Sequence, residues 1–241
     1  MIVFLWAVSA LGSLLILQTA FARSVAKASM LITGSIRLGE VVYAVIFFPG
    51  VIIHELSHFF MAGLLGVRTG PLEIFPRESK EGLRLGSVKV SRADFLRNAC
   101  IGAAPLLVGL ILLMILSRLM FTFPLEPESL RVIGETIVSN FSLKTALYLY
   151  GLFAISNTMA LSKSDREGLF PTLAILIALG LAAIWSPTTS SVTGTVITEL
   201  QQIVNSFAVG LTFVVILNLL CLLPLYLAVK MLEWATRKKY G

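Results

Sequence analysis

The chain has 241 residues, of which 57% are hydrophobic and only 13% charged, with a formal net charge of +6 and a mean hydropathy of +0.91. Soluble domains carry about 25% charged residues, so this composition excludes a water-facing globular surface and points to an integral membrane protein. Most Lys and Arg lie between apolar runs, where membrane topology and anionic lipid account for them and no nucleic-acid partner is called for.

A bilayer-spanning helix needs about 20 apolar residues, and runs near or above that length cover residues 1–21, 38–66, 96–121, 143–161, 168–185 and 207–232. The expected fold is an all-α polytopic membrane protein, one membrane-embedded domain over 1–241 with about six transmembrane helices. No Lys or Arg precedes the first run, unlike the basic start of a signal peptide, so a retained helix is expected. Pro49-Gly50 should kink the second run and Pro224 the last. Between the second and third runs, residues 68–92 alternate apolar and polar positions but change phase at Gly86-Ser87. That pattern predicts a small β-hairpin with a bulge. Residues 124–142 and 186–206 are mixed in character and read as short helices lying on the membrane surface. An even number of crossings puts both termini on one side, and the basic segment 68–92 with Arg237, Lys238 and Lys239 assigns that side to the cytoplasmic face of the cell membrane. Cys100 and Cys221 stand alone in apolar stretches and read as packing residues.

Both histidines of the chain fall in one pentapeptide, His54-Glu55-Leu56-Ser57-His58. On a helix, positions i and i+4 share a face, so two imidazoles can hold one Zn²⁺ while the glutamate between them reaches a water on the metal. The setting strengthens the motif: ionisable side chains within an apolar span cost several kcal/mol and mark functional sites. A bound zinc would satisfy all three, with Glu55 as general base and then general acid in hydrolysis.

A catalytic zinc takes three protein ligands and keeps one position open. With no third histidine, the remaining donor is expected to be a carboxylate near the cytoplasmic end of another helix, from Glu73, Glu78, Glu81, Asp94, Asp165 and Glu167. Asp94 has a second explanation, because Ser91-Arg92-Ala93-Asp94 has capping-box spacing at the start of the third run. The hairpin acids read as solvated. Asp165 follows directly on the fourth run, although Ser162-Lys163-Ser164-Asp165 also has capping-box spacing.

A membrane-buried HExxH, a strand-like segment, the small-residue and proline stretch Ile101-Gly102-Ala103-Ala104-Pro105-Leu106, and Asn157 eight positions before Asp165 together resemble the site-2 protease family of intramembrane zinc metalloproteases. The similarity covers residues 50–166. The prolines usual after the asparagine are missing and Arg166 replaces a glycine, which marks a divergent member. The resemblance implies a catalytic core over 38–168, comprising the metal helix, the hairpin and the third and fourth helices. It further implies Zn²⁺ as cofactor, His54, His58 and Asp165 as ligands with Glu167 as the substitute, and packing of 101–106 against the metal helix. Asn157 is implied to bind substrate backbone or the developing oxyanion; an interhelical hydrogen bond is the alternative. The expected reaction is cleavage of a peptide bond in or near a transmembrane segment of another protein, which must first unwind locally. Such a segment could add to the hairpin edge near 72–75 or 83–90. Selectivity would come from the membrane core, its loops or a regulatory membrane partner. The competing expectations are a membrane-anchored zinc protease acting at the cytoplasmic surface, and a non-hydrolytic metal-binding transporter or scaffold.

Overall fold

The computed structural model describes residues 2–74, 77–79, 82–84, 86–91, 93–120, 129–139, 141–159 and 191–237. In chain order these form α1 (Ile2–Thr33), α2 (Ile36–Ile46), α3 (Phe48–Leu64), β1 (Thr69–Glu73), β2 (Arg77–Ser79), β3 (Gly82–Arg84), β4 (Ser87–Val90), α4 (Phe95–Met120), α5 (Ser129–Ser139), α6 (Leu143–Thr158) and α7 (Ser191–Thr236). Helices dominate and the only strands among the described residues are the small antiparallel ladders between α3 and α4.

Among the described residues three stretches are long and apolar enough to cross a membrane: Leu5–Thr33, Phe95–Leu116 and Gln202–Thr236. Large apolar side chains such as Ile16, Ile111, Leu220 and Trp234 are exposed along them, as a lipid-facing surface requires. The pair α2 and α3 makes a fourth candidate, bent by 77°. Among the described residues the count is thus three or four, and six spans are not confirmed. The run at 143–161 yields a helix of 16 residues, short for a full crossing, and the run at 168–185 lies outside the described residues.

The expected kink in the second run is a complete break. Pro49 has no N–H to donate to the Val45 carbonyl and its ring crowds that position, so α2 ends at Ile46 and is capped by Phe47, whose N–H still bonds the Tyr43 carbonyl at 3.0 Å. The chain restarts as α3 with the proline in its first turn, where a missing N–H is harmless. Phe47 at the break is fully buried, with the Phe21 and Phe153 rings 5.6 and 5.3 Å from its own.

Two further expectations change. The first helix runs to Thr33, so Arg23 and Lys27, expected in a loop, sit on its last turns. Gly34, at φ 74°, then ends it. The separate surface helix expected over 186–206 is, from Ser191 onward, part of a single 46-residue helix that continues through Pro224 into the last span. The helix expected within 124–142 does form, as α5.

α1 lies along α7 and against α2, while α3 packs between α4 and α6. Leu14 of α1, Leu152 and Ile155 of α6, and Val209 and Val214 of α7 share the main apolar core with Ala103 and Leu106 of α4. The C-terminus of α3 has the hydrogen bonds of a Schellman cap: Gly66 N–H to the Gly63 carbonyl and Val67 N–H to the Ala62 carbonyl, at 3.1 and 2.8 Å. Gly66 takes the positive φ of 68° that this cap requires, and the turn delivers the chain into β1.

The hairpin is real, with a different irregularity from the expected one. β1 pairs antiparallel with β4 and β2 with β3. The register shift lies in β1, between Thr69 and Leu72, whereas Gly86 stands between β3 and β4 where one ladder stops and the other begins.

Candidate metal and catalytic site

His54, Glu55 and His58 occupy the middle of α3. The two imidazoles lie edge to face, ring centroids 5.0 Å apart, as the i, i+4 relation dictates. Glu55 and His58 are buried and His54 is partly so.

Each histidine is oriented through its Nδ1 by a backbone carbonyl. His54 Nδ1 lies 2.8 Å from the Thr158 oxygen and His58 Nδ1 lies 2.8 Å from the Ile101 oxygen. A carbonyl can only accept, so Nδ1 carries the proton in both rings and the neutral tautomer keeps its lone pair on Nε2. This is the arrangement metal-ligating histidines adopt, with the outer N–H fixed by a carbonyl or carboxylate. The pair therefore fits a divalent ion such as Zn²⁺.

Both carbonyls are ones that helix geometry leaves over. Ile101 stands four residues before Pro105, inside α4; the N–H that would bond its carbonyl does not exist. Thr158 closes α6, where the last carbonyls have no intrahelical partner. Residues 101–106 are all buried, as the resemblance implies, and small side chains let α4 approach α3 closely. α6 approaches from the other side at Gly50, where an added Cβ would lie 2.6 Å from the Ala154 carbonyl and collide with Thr158.

Glu55 meets the hairpin. A Cβ placed on Gly86 would stand 2.7 Å from Glu55 Cγ and 3.0 Å from Oε1. The absence of a side chain at Gly86, between β3 and β4, thus brings hairpin backbone onto the carboxyl group of the HExxH glutamate.

Asn157 is nearly fully buried, and its side chain turns to α7. Its amide donates to the Asn218 Oδ1 at 2.6 Å and to the Phe153 carbonyl at 2.9 Å. Asn218 in turn donates to Ser156 Oγ at 3.0 Å and to the Val214 carbonyl at 2.9 Å. The interhelical alternative is thereby filled, while Asn157 Oδ1 is buried with no hydrogen-bond partner among the described residues.

Among the described residues no group of three His, Cys, Asp or Glu side chains is placed to hold a metal. Asp94 acts as a helix cap, accepting from Arg97 N–H at 3.0 Å; it is itself the N-cap, one turn later than the Ser91 start expected. Glu73 accepts from Ser87 Oγ at 3.4 Å across the hairpin. The side chain of Glu78, and Glu81, Asp165 and Glu167 entirely, lie outside the described residues.

Thr158, Tyr43 and Asn218 received no role from sequence, and Gly86 was noted only as a change of strand phase. Of these contacts only the Ile101 carbonyl had a readable signal, its place four residues before a proline.

No family model, characterised protein or solved structure matches the chain.

Proposed function

We propose that this protein is an intramembrane zinc metalloprotease of the site-2 protease type, a divergent member, acting on a transmembrane segment of a membrane-protein substrate. The observation that carries the proposal is the shared orientation of His54 and His58, each held through Nδ1 by a spare backbone carbonyl with buried Glu55 between them. An apolar setting would not retain three such groups without a function that uses them.

His54 and His58 would hold the ion through Nε2, and Asp165, or Glu167 in its place, would complete the ligand set. Zinc bound there supplies Lewis-acid chemistry, polarising a scissile carbonyl and making water a better nucleophile near neutral pH. Glu55 accepts the proton from the attacking water and returns it to the departing amine. Its burial beneath Gly86 limits bulk water around the carboxyl. The hairpin next to Glu55 offers an outer strand edge for a locally unwound substrate, whose backbone hydrogen bonds there offset those lost from its helix. The basic hairpin and C-terminus favour a cytoplasmic orientation in the cell membrane.

The test compares the wild-type protein with Glu55→Gln in lipid, measuring bound metal and cleavage of single-span membrane substrates. Zinc retained by both forms, with cleavage lost only in the variant, is the expected result. Zinc bound without cleavage by the wild type would instead indicate a metal-binding scaffold or transporter, and no zinc in either would remove the metal site altogether.

A further inference from the structure

The end of α6 is held by side chains from three other helices in succession. The Ser156 carbonyl accepts from Gln18 Nε2 of α1. Next, the Asn157 carbonyl accepts from the Tyr43 hydroxyl of α2 at 2.9 Å, and the Thr158 carbonyl accepts from His54 Nδ1 of α3 at 2.8 Å. Helix termini usually satisfy such carbonyls with water, a glycine turn or tighter local bonds. Here the last turn instead carries one donor per residue, each from a different helix.

Consecutive carbonyls in one helical turn are separated only by the φ and ψ of a single residue, and while the turn keeps its helical angles they hold a common direction along the axis. The direction of the Thr158 carbonyl, which selects the His54 tautomer and ring plane, is therefore tied to the peptide that Tyr43 grips. Tyr43 is well built to grip it. Its ring packs 4.4 Å from that of Phe47, centroid to centroid, at the break between α2 and α3, and Phe47 is fully buried. The hydroxyl thus links the bend that starts the metal helix to the carbonyl next to the one that orients its first histidine.

We propose that Tyr43 is a positioning residue for His54, acting through the final turn of α6 to hold the imidazole in its Nδ1–H form. The proposal rests on reading His54 as a metal ligand, but the ring's orientation can be tested without metal. A control lies in the same pair of helices. Tyr150 of α6 donates its hydroxyl to the Ile46 carbonyl of α2 at 2.7 Å, so Tyr150→Phe deletes an equivalent bond remote from the α6 terminus.

The experiment records nitrogen-15 imidazole spectra of the metal-free protein in lipid nanodiscs, where only two histidines contribute, with His58→Ala used to assign His54. It then titrates zinc. In the wild type and in Tyr150→Phe, His54 should be a single Nδ1–H tautomer. Tyr43→Phe should give His54 a mixture of tautomers, leave His58 unchanged and weaken zinc binding roughly tenfold, the low end of outer-shell effects. Spectra and zinc affinity of Tyr43→Phe indistinguishable from those of Tyr150→Phe would overturn the proposal. A tautomer change in Tyr43→Phe alongside a wild type that binds no zinc would leave the tyrosine's role standing and remove the metal reading of the site.

Discussion

The carbonyl of Ile101 accepts a hydrogen bond from Nδ1 of His58 at 2.8 Å, across the contact between α4 and α3. It is available because Pro105, one turn further along α4, has no N–H to claim it. A residue that ordinarily weakens a helix thus supplies an orienting acceptor to a candidate metal ligand.

Replacing Pro105 by alanine restores an N–H that competes for the Ile101 carbonyl. Helix α4 should be as stable as before or more so, since proline is the poorest interior helix residue. Zinc affinity should nevertheless fall about tenfold, as for loss of an outer-shell partner. Isothermal titration with zinc alongside thermal unfolding checks both halves; an affinity equal to that of the wild type would show that the carbonyl does not orient His58.

Gly86 and Glu55 make the second prediction. Because a Cβ at position 86 would lie 2.7 Å from Glu55 Cγ, Gly86→Ala must displace either the hairpin or the carboxylate. Zinc should remain bound through the histidines while cleavage drops by about 10²-fold, the scale of a misplaced general base. Parallel metal analysis and a cleavage assay decide the matter, and full activity in the variant would mean that the hairpin does not constrain Glu55.

For the remaining ligand, Asp165→Asn should lower zinc occupancy several-fold with Glu167→Gln close to wild type. The opposite ranking would transfer the assignment to Glu167. Metal content after dialysis against a weak chelator distinguishes them.

The Asn157–Asn218 bond separates a packing role from a catalytic one. Polar contacts between membrane helices contribute about 0.6 kcal/mol on average and up to about 1.7, so a double-mutant cycle with Asn157→Ala and Asn218→Ala should return a coupling of about 1 kcal/mol in unfolding free energy. If Asn157 also assists the reaction, its substitution should reduce kcat well beyond the effect of Asn218→Ala. Equal losses of activity would confine Asn157 to the helix contact.

Much of this site is local chemistry and is visible in the order of residues. The HExxH pentapeptide needs only the helical repeat to bring two imidazoles to one face, and the strand-like segment after it needs only alternation and a Gly66 turn. The Asn157 side chain shows the limit. Its spacing from Asp165 suggested a catalytic partner, but a buried amide bonds whatever lies opposite, and here that is Asn218, 61 residues further on. The shape of the second run shows the same limit: Pro49 marks where it bends, but hydropathy does not register the 77° angle at Phe47, which the buried aromatic cluster there helps to set.

Composition alone pointed to the solvent of this chain, because 13% charge cannot cover a surface in water, and the pentapeptide alone singled out two histidines and a glutamate as candidates for a metal site. Three-dimensional packing was needed to choose the tautomers of those histidines, the neighbour of Glu55 and the keeper of the α6 terminus. Each of these depends on a contact with a residue from 31 to 114 positions away. Apart from the Ile101 carbonyl, which Pro105 leaves over, these backbone groups have no signature in residue type, and which one meets a given side chain is set by how the helices pack.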